Sequence, residues 1–359
     1  MCFCTQQIRG FELNSRMSPK LKLGAALILL GLFHAVVLCA GFLGPYNLAV
    51  QNREMPYAPP TRIHFVDAQG RLHFRPFVYA IKYGDGVNAA YQEDLSRLYP
   101  VHWFVQGTPY KIAGVFSARI HLFGVEAPAK VCLFGTDGFG RDQFSRFLYG
   151  GQLSLLAGLL AALLSVGIGI VVGTTAGFYG GWIDDLLMRG SDLFFALPWL
   201  YFLFAIRAAL PLHVPEWEVF LLLVGAIGLI GWARPARLIR GVALTARERN
   251  FVRAARGLGA SDLYILRRHV LPQTYAVVFT QLALLIPQYI LAEVTLTFLG
   301  LGVGEPAPSW GSLLASLQHY DVLSSYWWMF IPAILLMPLF LAYQAAADAL
   351  QERFESVAL

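Results

Sequence analysis

Long apolar stretches broken by short polar links dominate this chain. They run over about 23–43, 153–177, 191–210, 219–233, 275–298 and 326–345. A helix needs about 20 apolar residues to cross the hydrocarbon core of a bilayer, and stretches of this order predict six membrane-crossing helices. The first follows a polar tail, 1–22, that carries Arg9, Arg16, Lys20 and Lys22. A basic tail before an apolar run is also the form of a cleaved leader. This run is long for one, no small-x-small cleavage site follows it, and Leu38 rather than a small residue precedes Cys39. A retained first span is therefore expected.

From 44 to 129 the pattern changes from runs to alternation. Pro56, Pro59 and Pro60 open it, and residues 62–74 read as two short strands around a turn at Ala68–Gly70. Residues 99–116 and 119–125 read as further strands, punctuated by Gly107, Thr108 and Pro109. A small β-rich insert between the first and second spans is expected. Its histidines, His64, His73, His102 and His121, are scattered without paired spacing and read as structural rather than as metal ligands. Cys2, Cys4, Cys39 and Cys132 likewise form neither a disulfide framework nor a zinc pattern.

The later spans carry their own punctuation. Gly158, Gly167, Gly169, Gly173 and Gly177 are small residues of the kind that let membrane helices approach closely. Pro198 and Pro287 fall inside spans, where neighbours must satisfy the freed carbonyl. Arg207 stands near a span end, from which it can snorkel to the interface, whereas Glu293 lies within one. An ionisable group there is expensive, so Glu293 is a candidate pathway residue, with pairing inside the bundle as the alternative.

Composition agrees: the chain is 57% hydrophobic and 14% charged, against about a quarter charged in soluble domains. Its net charge of +5 is concentrated. Arg234, Arg237, Arg240, Arg247, Arg249, Arg253, Arg256, Arg267 and Arg268 crowd the link 234–272 against only Glu248 and Asp262. Such a cluster can bind nucleic acid, but between two apolar spans it reads as the cytoplasmic side of a membrane protein. Six spans put both termini on that side and leave 303–325, which has no Lys or Arg, on the other.

Within the basic link, residues 251–272 read as two short helices. Ala254 and Ala255 give the first a small face, Gly259 supplies a left-handed stop, and Ser261 caps the second with Asp262 at its N-terminal dipole. Pro272 after Leu271 marks a break or the first turn of the next element. A small-faced surface knob suits docking in a partner's groove; an ordinary amphipathic loop is the plainer reading.

This stretch resembles the cytoplasmic loop signature of binding-protein-dependent ABC importer permeases, and its dipeptide/oligopeptide/nickel branch in particular. Ala254, Ala255, Gly259, Leu271 and Pro272 match the pattern, Ala260, Ser261 and Asp262 continue its core, and Arg253 stands where the family carries Glu. Residues 133–155, with Gly135, Thr136, Asp137, Gly140, Arg141 and Asp142, resemble the branch's GTDxxGRD segment. Taken alone, those charges read as a cap at the membrane interface. Residues 296–314 resemble its FLGLGxxxPxPSWGxML segment. The resemblance implies an all-α polytopic protein of the bacterial cytoplasmic (inner) membrane, with six transmembrane helices and the β-rich insert extracytoplasmic. It implies one half of a translocation pathway for peptides or similar small solutes, coupled through Arg253–Asp262 and Leu271–Pro272 to two ATP-binding subunits. A second homologous permease and an extracytoplasmic solute-binding protein would complete the assembly. The chain lacks the GxxxxGK[ST], HExxH and GxSxG motifs, so neither catalysis nor a cofactor of its own is expected. An ATP-independent channel or secondary transporter, or a membrane-anchored assembly protein acting through the insert, are the competing classes.

Overall fold

The computed structural model describes residues 19–48, 50–84, 91–112, 116–196, 198, 201, 202, 204, 205 and 215–358. Helix α1 (Pro19–Leu38) and the short α2 (Ala40–Leu43) lead into five strands, β1 (His64–Val66), β2 (Leu72–Tyr83), β3 (Tyr91–Pro100), β4 (His102–Ile112) and β5 (Phe116–Gly124). The remainder is helical: α3 (Gln143–Tyr179), α4 (Gly181–Ala196), α5 (Glu216–Gly231), α6 (Ala233–Arg247), α7 (Asn250–Gly257), α8 (Asp262–Ile265), α9 (Tyr275–Phe298), α10 (Trp310–Ala315), α11 (Tyr320–Ser325) and α12 (Ile331–Ala358).

Among the described residues four helical segments are long and apolar enough to cross a membrane: Lys20–Leu38, Gln143–Tyr179, Asp262–Phe298 and Trp327–Arg353. The pair α5 and α6, bent by 41°, makes a fifth if it is counted as one span. Nine of the twenty residues of the expected span 191–210 lie outside the described ones, Arg207 included; α4 covers 181–196.

Three boundaries differ from the hydropathy reading. The second span begins at Gln143, not 153, because Asp142 caps it and the polar residues of its first turn, Gln143, Ser145 and Arg146, are buried against the rest of the chain. The expected loop 234–272 is not a loop: its first half is α6, whose apolar face of Ile239, Ala243 and Ala246 is buried. From Asp262 onward it runs without interruption through a π turn, Leu266–Val270, and a 3-10 turn, Leu271–Thr274, into α9. Pro272 sits at the start of that 3-10 turn.

Helix α3 organises the bundle. Its 37 residues extend roughly 55 Å at 1.5 Å each, well beyond the ~30 Å hydrocarbon core. On one side Phe147 and Leu148 pack with α1 (Leu30, Val37), α10 (Trp310) and α12 (Leu339, Tyr343). On another, Ala157, Ala161 and Val166 pack with α5 (Leu223, Ile227) and α9 (Leu285, Tyr289). Close approach follows from the glycines: a Cβ on Gly173 would lie 2.4 Å from the Ala236 carbonyl, and one on Gly177 2.6 Å from that of Arg240. Gly169, Gly173 and Gly177 recur every fourth residue and so line a single face. Pro287 lies inside α9.

The strands form an antiparallel sheet β1-β2-β3 and a separate β4-β5 ribbon. The expected turn is a tight one at Asp67, whose carboxylate accepts from the amides of Gln69 and Arg71, with Gly70 at φ +80°. Gly107, Thr108 and Pro109 do not end a strand; they sit in the irregularity between Gln106 and Tyr110 inside β4. β3 was not visible in the pattern because polar residues line it, Asp94 among them, which pairs with Lys82 at 2.7 Å.

Candidate functional site

The knob at 250–265 is built from two terminations. Ala260 N–H donates to the Ala255 carbonyl (3.1 Å) and Gly259 N–H to that of Arg256 (3.0 Å), a Schellman closure of α7 that needs the left-handed φ of +84° at Gly259. Ala255 and Ala260 are the half-buried pair that accompanies such a closure. Ser261 then caps α8, accepting from Tyr264 N–H at 3.4 Å, and Asp262 in its first turn receives Arg256 at 3.4 Å.

The inner side of the knob holds it to the bundle. Val252, Ile265 and Val270 are buried with Ala243 and Ala246 of α6 and Phe178 at the end of α3. Arg256 also lies 5.6 Å over the Phe178 ring. Ala254 and Ala255 do not form one face: consecutive helical residues are about 100° apart, so Ala255 turns inward and Ala254 outward. The outward side carries Phe251, Ala254 and Leu258, the last 89% exposed. Arg253 is exposed and pairs with Glu248 at 2.9 Å. Arg253 and Arg247 hold the Glu248 carboxyl below the usual carboxylate range. Leu271 is half-buried and Pro272 exposed at the root of α9.

Just beyond the knob's end of the bundle, Asp184 of α4 receives both guanidinium arms of Arg240 on α6, one at 2.5 Å. Arg247 Nη1 reaches the carbonyls of Gly177 and Phe178 at 3.4 Å, the C-terminal end of α3 where a cation is favoured.

At the opposite end the two other matched segments meet. Arg141 donates to Asp137 (2.7 Å) and, through both terminal nitrogens, to Glu305 (2.7 and 3.1 Å). Arg146, 2% exposed, donates to Glu305 at 2.8 Å. The arginines hold the Glu305 carboxyl below its ordinary range although burial opposes this. The charges read from the sequence as an interface cap thus have two uses: Asp142 caps α3 by accepting from Ser145 N–H at 2.8 Å, while Asp137 and Arg141 belong to an ion cluster. Glu305 and Arg146 gave no signal in the sequence, since their partners are about 160 positions away. Trp310, fully buried, explains the neighbouring PSWG residues. Its indole donates to the Phe147 carbonyl at 3.1 Å and its amide to Ser154 at 3.2 Å, while Ser309 and Ser312 form a reciprocal cap.

Glu293 lies fully buried on α9, accepting from Thr297 at 2.8 Å, with the hydroxyls of Ser154 and Ser309 beside it. These contacts lie inside the bundle. Three of the four insert histidines are also engaged: His64 with Glu93 (3.1 Å), His73 with Asp67 (3.0 Å), and His121, buried, with the carbonyls of Gly44 (2.8 Å) and Thr108 (3.0 Å). No cluster of three or more His, Cys, Asp or Glu capable of holding a metal occurs among the described residues.

Burial raises the Asp142 carboxyl to about 6. A folded value above the ordinary one means that the fold favours the protonated acid. Its contribution is complete below about pH 4 and is lost as pH rises through about 6. Asp142→Asn, which keeps a capping oxygen without the charge, is expected to flatten the fall in thermal midpoint between pH 4 and 7. A parallel fall in variant and parent would show that Asp142 does not titrate there.

Several apolar helices, closely packed and bearing an arginine-rich helical knob at one end, mark a multi-pass membrane protein. Residues 169–356 match the binding-protein-dependent transport system inner membrane component family, and the chain belongs to that family, the permease subunits of ABC importers. Among its relatives are a putative peptide transport system permease protein of Brucella suis, 39% identical over 70% of this chain and 79% of that one. The dipeptide transport system permease protein DppC of Bacillus subtilis is 34% identical over 62% and 68%. The glutathione transport system permease protein GsiD of Escherichia coli is 35% identical over 62% and 71%.

Proposed function

We propose that this permease forms half of the pathway through which an ATP-driven importer passes short peptides or similar small solutes. In this reading it crosses the bacterial cytoplasmic membrane six times with both termini inside. A second homologous permease supplies the other half, and two ATPase subunits receive the outward face of the knob around Ala254, Leu258 and Gly259. A solute-binding protein delivers cargo to the strand-bearing end, which is extracytoplasmic. Peptide and glutathione relatives support the cargo class, and the concentration of arginine at the knob end supports the orientation.

The observation that carries this reading is α3. Its last turn is cemented to the knob through Phe178, and its first turn holds the Arg146–Glu305 contact. A displacement of the knob is therefore delivered to the opposite mouth through one rigid element. Nucleotide drives the change only by binding the ATPases more tightly in one arrangement than in another. Purification of the tagged chain from its own membrane in mild detergent is expected to bring two ATPase chains and a second permease with it. A chain that purifies alone and conducts or transports without ATP would overturn the proposal.

A further inference from the structure

We propose that Arg146, together with Arg141, forms a receiving site for the terminal carboxylate of a transported solute, and that Glu305 occupies this site in the unloaded protein. The proposal deepens the importer reading by naming the chemical group that the permease itself recognises.

The site is a cavity of about 450 Å³ at the strand-bearing end, within the range of roughly 300–1,000 Å³ in which small ligands bind. Arg141, Arg146, Gln143 and Glu305 line it, with Tyr57 and His319 at its wall. Arg146 is buried, yet of its nitrogens only Nη2 is used, on Glu305. Nη1 and Nε have no hydrogen-bond partner among the described residues, the nearest carboxylate to Nε being Asp137 at 3.8 Å. Gln143, equally buried at 2% exposure, points an unpartnered carbonyl oxygen from the same wall while its amide meets only the Met329 sulfur. A purely structural ion cluster has its donors filled, because an open buried donor is destabilising. Here two guanidinium donors and an amide acceptor line one cavity unfilled, and each of the two donors forms a fork with Nη2 once Glu305 leaves it. That is the complement of a chain terminus, which offers a carboxylate and, on the adjoining Cα, an amide N–H.

Glu305 is the replaceable member. Its side chain is 49% exposed, against 10% for Asp137 and 2% for Arg146. Two arginines and two carboxylates make the cluster neutral, so an added anion would leave it negative. Exchange keeps the balance: the incoming carboxylate takes the guanidinium faces and Glu305 swings to solvent. The exchange also releases the tie between the first turn of α3 and the 300–309 link, which connects recognition to movement at this mouth.

The test uses the detergent-purified assembly without its binding protein, titrated calorimetrically with N-acetyl-trialanine and, separately, with its C-terminal amide. Glu305→Gln removes the resident anion and is expected to bind the acid roughly tenfold more tightly than the parent does, with no gain for the amide. Glu305→Ala should show the same gain. Adding Arg146→Lys, which keeps the charge but loses the fork, should return the affinity to the parent value or below. Equal binding of acid and amide, or no binding by either Glu305 variant, would overturn the proposal. ATPase subunits retained in those same preparations report separately on the importer reading.

Discussion

Gly259→Pro is expected to abolish ATP-dependent uptake while the chain still inserts in the membrane. Gly259 has φ +84° and donates its amide to Arg256. Proline is fixed near φ −65° and has no amide hydrogen, so neither the left-handed turn nor that bond survives. The Schellman closure then opens, and the inner side of α7 leaves its position against Phe178. A proline misplaced in this way costs about 3 kcal/mol or more, which corresponds to about two orders of magnitude in the population of the docked knob. The segment is polar and lies beyond the apolar part of every span, so insertion is untouched. Gly259→Asn is the control, because asparagine tolerates the left-handed region and open space surrounds the position; it should transport normally. The measurement is uptake into proteoliposomes alongside ATP hydrolysis by the same preparation. Hydrolysis without uptake is the expected signature. Normal uptake by the proline variant would remove this segment from the coupling role.

The parts of this molecule that were legible in its sequence are those set by local chemistry. Gly259, Ser261 and Pro272 act within one or two turns of themselves, and each does in the structure what its residue type dictates. The apolar stretches were legible for the same reason, because the bilayer imposes one rule on every residue of a span. Hydropathy misplaced the edges where tertiary burial took over: α3 starts ten residues before its apolar run because Arg146 and Gln143 are buried by 305–329 rather than by lipid. Helix α6 was hidden by its arginines. Their guanidiniums mask an apolar stripe of Ile239, Ala243 and Ala246, and one finds a carboxylate at Asp184 that no local pattern connects to it. The Arg141–Arg146–Glu305 cluster was beyond reach altogether, since sequence proximity says nothing about two segments joined only by folding. Arg253 in place of the family's Glu was visible as a departure, but its partner Glu248 was identified only by geometry.

Gly173→Leu is expected to collapse the stability of the chain, whereas Gly167→Leu on the same helix leaves it intact. A Cβ at 173 would meet the Ala236 carbonyl at 2.4 Å and the Ile239 Cβ at 3.0 Å, and backbone cannot turn aside as a flexible side chain can. A Cβ at 167 meets nothing within 4 Å. Overpacking costs about 1–3 kcal/mol even where neighbours can shift, and here the whole α6 helix would have to lift from α3. Lifting it parts Arg240 from Asp184 and uncovers Phe178, so the damage runs from the bundle into the knob. Both variants are to be produced without partner subunits, so that an interface at Gly167 does not enter, and melted in detergent with monitoring by size exclusion. A Gly173→Leu midpoint equal to that of Gly167→Leu would show that α3 and α6 are not in backbone contact. A depressed midpoint confined to Gly173→Leu ties the stability of the bundle to the close seam that the glycines at 169, 173 and 177 make possible.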